Sequence, residues 1–362
     1  MRLFTKTLSF KNIPTNSRIL IVRLSAIGDV IRTLPAVHLI RKELPESYLG
    51  WVMESVPHSL VEKHPEIDRF FIFPKKQIQQ AIKNGDFKEA KRLVKDFSAE
   101  LKAERFEIAI DMQNLFKSGM VTMLSGAKTR IGYGLEREGS KFFLTHRVAP
   151  PFKSHPKMNF VDWQIELVKR LGIDSGEIRF VLPDYSPEET VINRFLEKHG
   201  ITGDFFCLAP GTSWPTKSWT TAGMAGLADR LADYGRVLII GSEFDREIAD
   251  QVLAAAKTAP LDTIGAFNLR ELAVLLRKAR FYIGGDTGPM HLAVAVGTQV
   301  FAWFGPTDPI LNGPYQDEAV TFVNNLNCQP CHKRKCPSKR CLSELELDTV
   351  WDKIKPVLSR VK

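Results

Sequence analysis

Short apolar runs, each closed by a glycine-bearing turn and followed by a run of helical spacing, recur along both halves of the sequence. In the first half "SRILIVRL" (Ser17 to Leu24) leads through "SAIGDV" into an amphipathic run from Val30 to Lys42. "YLGWVM", "RFFIFP" and "FEIAIDM" read as further strands, and "DFKEAKRLVKDFSAELKAE" as a helix. A second series begins at "FFCLAPG" (Phe205 to Gly211) and continues through "RVLIIGS", "LDTIG", "RFYIGG" and "QVFAWFG". Between the two lie a helix expected from Asn159 to Leu171 and "VLPDYSPEE", a proline-bearing crossing that fits a linker. Strands alternating with helices build parallel sheets covered on both faces. The expected fold is therefore α/β, with two doubly wound, Rossmann-like domains whose strand ends face each other across a cleft. Ligands of such sheets bind outside the carboxyl ends of the strands.

Length agrees with this division, because 362 residues make two domains at roughly 150 residues each. The expected boundaries are an N-terminal extension over residues 1–17, a first domain over 18–178, a second over 179–342 and a C-terminal helix over 343–362, its core running from Glu344 to Val361. No run approaches the roughly 20 apolar residues that cross a bilayer, and the first residues lack a signal-peptide core. A cytoplasmic protein is expected. Fifty Lys and Arg against 41 Asp and Glu give a net charge of +9, which favours an anionic partner: nucleotide, nucleic acid or acidic lipid surface.

Four of the five cysteines crowd into "CQPCHKRKCPSKRC", at Cys328, Cys331, Cys336 and Cys341. Tetrahedral zinc favours closely paired thiolates, and the gaps here are two, four and four residues. A structural zinc is expected, with disulfides and free thiols as alternatives; a cytoplasmic setting disfavours the disulfides. The interleaved Lys333, Arg334, Lys335, Lys339 and Arg340 could also meet a lipid phosphate.

Several chemistries lack their motifs. Only Gly28 follows the first strand where a dinucleotide fold needs Gly-x-Gly-x-x-Gly, and "GLEREGSK" (Gly134 to Lys141) reverses the last two residues of a P-loop. Neither Gly-x-Ser-x-Gly nor His-Glu-x-x-His occurs. By contrast "GGDTGPMHLAVAVGTQVFAWFG" (Gly284 to Gly305) joins two strands through a helix, with Asp286 and Thr287 as capping types and Pro289 in the first turn. A helix start at a strand's carboxyl end is a cradle for phosphate.

The segments "RLSAIGDVIRTLPAV", "WVME", "AIDMQNLFKSG", "RIGYGLEREGSKFF", "LAPGTSWPTKSWT" and "GGDTGPMHLAVAVGTQVFAWFGPTDP" occur in that order. Together, from residue 18 to about residue 315, they resemble the ADP-heptose:lipopolysaccharide heptosyltransferases of glycosyltransferase family 9, and "WVME" with "DMQNLFKS" resembles heptosyltransferase I more than II. The resemblance implies a GT-B fold and an inverting transfer of heptose from ADP-heptose onto the Kdo-containing lipid A core at the cytoplasmic face of the inner membrane. It implies no catalytic cofactor, no nucleic-acid partner, peripheral contact with anionic lipid, and a monomer. The N-terminal extension and the cysteine segment fall outside the heptosyltransferase I pattern, which leaves a different sugar or acceptor open. A noncatalytic nucleotide-sugar binding protein and a GT-B-like epimerase are the readings from other classes.

Sugar transfer needs one base for the attacking hydroxyl and one cationic or dipolar clamp for the departing diphosphate. Asp29, at the carboxyl edge of the first strand, is the candidate base, and the family's Gly-Asp motif places its catalytic aspartate there; capping of the following helix is the structural alternative. Lys217, in the loop with Thr212 and Ser213 after the second domain's first strand, is the candidate clamp, again where the family has its phosphate-binding lysine. Glu243 suits ribose hydroxyls, as the family's glutamate does. Asp286 suits a sugar hydroxyl or a helix cap, Thr287 and Gly288 the diphosphate, and His291 either the diphosphate or a buried structural role. On the acceptor side, Lys117, Ser118 and Arg137 lie where the family binds its anionic sugar, and an arginine can fork onto a carboxylate such as Kdo presents.

Overall fold

Ile19, Leu20, Ile21 and Val22 are wholly removed from solvent, the mark of a strand covered on both faces. They belong to the first strand of a computed structural model that describes residues 14–134, 137–151, 157–173 and 176–359. The chain divides into two compact units, Met1–Asp184 and Tyr185–Lys362. Most of the N-terminal extension, residues 1–13, lies outside the described residues.

The first unit is built on β1 (Arg18–Val22), β2 (Tyr48–Met53), β3 (Arg69–Ile72), β4 (Ile108–Asp111), β5 (Thr129–Tyr133) and β6 (His146–Val148). Their order is β3-β2-β1-β4-β5-β6, and every pairing is parallel. Parallel neighbours need crossover helices, which supply the cover. The helix Phe87–Ala103 starts where the Asp86 carboxylate accepts the Glu89 N–H at 2.8 Å, and it buries Phe97 and Leu101. The helix Phe160–Arg170 starts at Asn159, whose side chain accepts from Val161, and packs on the helix Leu34–Glu43.

One expected helix is two. The run from Val30 to Lys42 folds as Ile27–Ile31 and Leu34–Glu43. Pro35 is the cause, because its ring clashes with the carbonyl four residues back and has no N–H for it. Thr33 closes the first piece by donating its hydroxyl to the Asp29 carbonyl at 2.8 Å.

The second unit repeats the plan with β7 (Phe205–Ala209), β8 (Arg236–Ile239), β9 (Leu261–Asp262), β10 (Phe281–Gly285), β11 (Gln299–Trp303) and β12 (Val320–Phe322), in the order β12-β11-β10-β7-β8-β9. Again every pairing is parallel. The C-terminal helix, Leu347–Leu358, starts later than the Glu344 expected, after a separate turn of helix at Arg340–Ser343, and the expected end at Val361 lies outside the described residues. Val350, Ile354 and Leu358, spaced by four, bury one face of it in the same core as Trp219, Phe322 and Leu342. Trp219 ties this edge down by donating its indole N–H to the Leu345 carbonyl at 2.8 Å.

In both sheets the strand order reverses beside the unit's first strand, between β1 and β4 and between β7 and β10. Neighbouring loops leave the sheet in opposite directions at such a point, which opens a crevice at the carboxyl ends.

Candidate active site

At the crevice of the first unit, Asp29 follows β1. Ala26 takes the N-cap position, and Asp29, in the helix's first turn, accepts the Ala26 N–H at 3.3 Å, so its carboxylate also helps to close the helix start. Its carboxylate meets Arg23 Nη2 at 2.9 Å and pairs with Arg32. Both guanidiniums lie over the Phe160 ring, at 5.2 and 4.5 Å from its centroid. Arg23 is further fixed by donation from Nη1 to the Met112 carbonyl at 2.6 Å. Burial by itself would raise the Asp29 carboxyl, but Arg23 and Arg32 outweigh it and hold the group well below the usual carboxylate range. With its side chain 29 % exposed, the Asp29 carboxylate can be reached by solvent.

A second cluster stands at the same edge. Glu54, immediately after β2, accepts from Lys117 at 2.9 Å and from Lys75 at 3.0 Å, and Lys117 also donates to the Ser25 hydroxyl at 2.9 Å. Burial would raise Glu54, yet the two lysines hold its carboxyl below the ordinary value. Ser118, the neighbour of Lys117, is not brought to this surface. It is fully buried, with its hydroxyl donating to Asp111 Oδ2 at 3.0 Å and accepting the Leu115 N–H. Asp111 ends β4 and is wholly buried; burial pushes its carboxyl up to about 6 against the N–H groups of Asn114 and Gln113. The side chain of Arg137 lies outside the described residues.

At the crevice of the second unit, Lys217 Nζ meets Asp286 Oδ2 at 2.7 Å and the Asp286 carbonyl at 3.3 Å. The Lys217 ammonium lies 4.7 Å from the centre of the Trp214 ring, and Trp303 Nε1 donates to the Lys217 carbonyl at 3.1 Å. Gly285 makes this approach possible, because a Cβ there would meet Trp303 Nε1 at 2.9 Å and the Lys217 carbonyl at 3.1 Å. His291 is buried, with Nε2 4.0 Å from Asp286 Oδ1. Thr287 holds the N-cap position of the helix Gly288–Ala295, but its hydroxyl turns to Tyr282 at 3.2 Å and no side chain caps the helix. The N–H groups of the first turn therefore have no side-chain cap.

Thr212 is half-buried and donates to the Trp214 carbonyl at 2.7 Å, which shapes the loop; Ser213 beside it is exposed. Glu243 stands apart from the Lys217 cluster in a short turn after β8, 71 % exposed, 3.6 Å from Arg246. It is open to a hydroxylated ligand. The four cysteines of the C-terminal segment are free thiols lining one cavity with Thr216 and Pro306. Among the described residues, no three His, Cys, Asp or Glu side chains stand close enough together to hold a metal ion. Cys207 is buried inside β7, where burial pushes its thiol up.

Sequence reasoning missed Arg23, Arg32, Glu54, Lys75, Asp111 and Trp214. Glu54 carried a signal, as the last residue of "WVME" at a strand's carboxyl end; an arginine closing the buried strand "RILIVR" was another.

Two six-stranded doubly wound units of this kind are the GT-B fold of a class of glycosyltransferases, and solved structures share it. A glycosyl transferase family 9 protein from Veillonella parvula aligns with a TM-score of 0.82 at 22% identity over 95% of this chain and 97% of that one. The E. coli heptosyltransferase WaaC with ADP aligns at 0.73 and 23% identity, over 94% and 99%. Residues 94–342 match glycosyltransferase family 9 (heptosyltransferase), and the chain belongs to that family. Among curated relatives, lipopolysaccharide heptosyltransferase 1 of Pseudomonas aeruginosa is 29% identical over 332 residues, 88% of this chain and 87% of that protein.

Proposed function

We propose that the protein transfers heptose from ADP-heptose, with inversion, onto the Kdo-containing inner core of lipopolysaccharide. The observation that carries this reading is the ionised carboxylate of Asp29, fixed by Arg23 and Arg32 at a crevice and still open to solvent. In this reading Asp29 takes the proton of the acceptor hydroxyl as its oxygen bonds to the anomeric carbon, and the bond to the ADP oxygen breaks on the opposite face. Lys217 and the start of the helix Gly288–Ala295 take up the charge that develops on the leaving diphosphate. Asp286, now paired with Lys217, releases it to the diphosphate and accepts from a donor-sugar hydroxyl, and Glu243 accepts from the ribose. Lys117, with Lys75, faces the anionic acceptor, and Arg137 is assigned to the same role.

The names of the relatives support the reaction class: the P. aeruginosa relative is a lipopolysaccharide heptosyltransferase, and the E. coli neighbour holds ADP. The net charge of +9 suits peripheral contact with an anionic leaflet from the cytoplasmic side, at about 1 kcal/mol per basic residue near the surface. No helix among the described residues is long and apolar enough to cross a membrane. The reading takes the working species as a monomer that needs no catalytic cofactor.

The test is to mix the protein with ADP-heptose, with and without Kdo-lipid A, and follow ADP and the lipid product. The reading expects ADP only with the acceptor, in equal amount to heptosylated lipid. ADP without acceptor, with free sugar product, indicates an epimerase or hydrolase, and binding with no turnover in either mixture a noncatalytic binder.

A further inference from the structure

The segment 328–341 lies on the back of the loop that carries Lys217. Thr216 donates its hydroxyl to the Lys333 carbonyl at 2.9 Å, and the His332 N–H reaches the Pro306 carbonyl at 2.8 Å. Gln329 Nε2 donates to the carbonyls of Phe304 and Gly305 at 3.2 and 2.8 Å. The Arg334 guanidinium lies 4.8 Å from the centre of the Trp214 ring, the same ring that Lys217 approaches at 4.7 Å. A strap thus crosses the loop.

Very little in the strap's composition accounts for its holding that shape. Apart from Pro330 and Pro337 it has no aliphatic or aromatic side chain between its first and last cysteine, so burial of apolar surface contributes little. What it does have is four thiols on one cavity, the other three within electrostatic reach of Cys341. Segments without a core are held by cross-links or by metal ions. Four thiolates on a divalent ion leave a net charge of −2, and Lys333, Lys339 and Arg340, which line the same cavity, offset it. As the strap stands the four thiols are not closed into a metal-holding group, so a bound ion would draw the sulfurs in to about 2.3 Å from it and tighten the strap.

We propose that Cys328, Cys331, Cys336 and Cys341 bind one thiophilic divalent cation, and that the loaded site braces the loop carrying Lys217. An all-sulfur tetrahedral set suits zinc or ferrous iron, and the experiment separates them. The metal site stands on the strap alone; its link to the donor rests on the reading of Lys217 as the diphosphate clamp.

The full chain is purified under reducing conditions, stripped with chelator, and titrated with Zn²⁺ or, anaerobically, Fe²⁺; retained metal is counted after desalting. One ion per chain is expected, with affinity at least about tenfold weaker in Cys336→Ser and in Cys341→Ser. Co²⁺ on the unmodified chain gives a second readout that needs no variant: a sulfur-to-cobalt charge-transfer band. ADP affinity by calorimetry is expected to be about fivefold or more tighter for the loaded than for the stripped chain. Failure to retain metal, or a missing cobalt band, overturns the proposal, as does unchanged affinity in both variants. Equal ADP affinity of the two forms overturns the brace. ADP bound by neither form tells instead against the donor reading, since metal retention is measured without it.

Discussion

Asp29 stands in the helix that follows β1 and Asp111 ends the neighbouring β4, and their surroundings push their carboxyl groups in opposite directions. Two guanidiniums hold the Asp29 carboxyl down, whereas burial pushes that of Asp111 up to about 6. Arg32→Gln removes one of the two charges and should raise the Asp29 pKa by about one unit or more, read by carboxyl carbon NMR titration; an unmoved titration would contradict the pairing. For Asp111 the folded value, about 6, lies above the ordinary 3.8, so its contribution to stability is complete below the ordinary value and is lost as pH rises through about 6. The loss amounts to about 3 kcal/mol at 1.36 kcal/mol per unit. Denaturant unfolding at pH 4 and pH 7.5 should show Asp111→Asn with a flatter dependence than the unmodified protein. In the second unit Lys217→Ala removes the ammonium that meets Asp286, and ADP affinity should fall about tenfold or more by calorimetry, the size of a hydrogen bond to a charged group.

The strands and most helices were legible as elements, because a parallel sheet covered on both faces demands continuous apolar runs and each crossover must be helical. Breaks were less legible: Pro35 divides the first helix through a clash with a residue four back, which apolar periodicity overlooks. The site divides the same way. Lys217 and Asp286 stand out in the sequence as candidates because each follows a strand, but their contact joins residues 69 apart in sequence and only the strand order makes them neighbours. Glu54 and Lys117, 63 apart, meet for the same reason. Ser118 was misleading as an acceptor contact: a small polar residue after a strand reads as surface, while its hydroxyl closes a buried turn with Asp111. At the other end of the chain the C-terminal helix is part of the second unit's core. Ile354→Ala, at a fully buried position, should cost about 2–5 kcal/mol by denaturant unfolding and lower the midpoint of that unit; a change below about 0.5 kcal/mol would mean the helix does not hold the core.

At the scale of the whole molecule, two copies of one architecture carry different chemistry at the same topological position. The first places a carboxylate between arginines, with lysines nearby; the second places a lysine, a tryptophan and a helix start. The proposed reaction draws on that difference, since glycosyl transfer needs a base for one substrate and a clamp for the other. The account therefore turns on Asp29 acting in turnover and not in holding the donor. Asp29→Asn keeps the shape and removes the negative charge, so steady-state transfer from ADP-heptose to Kdo-lipid A should fall about a hundredfold to ten-thousandfold in kcat, while ADP affinity stays within about twofold. Turnover within about threefold of the unmodified enzyme, with the variant folded and ADP bound as before, would contradict it.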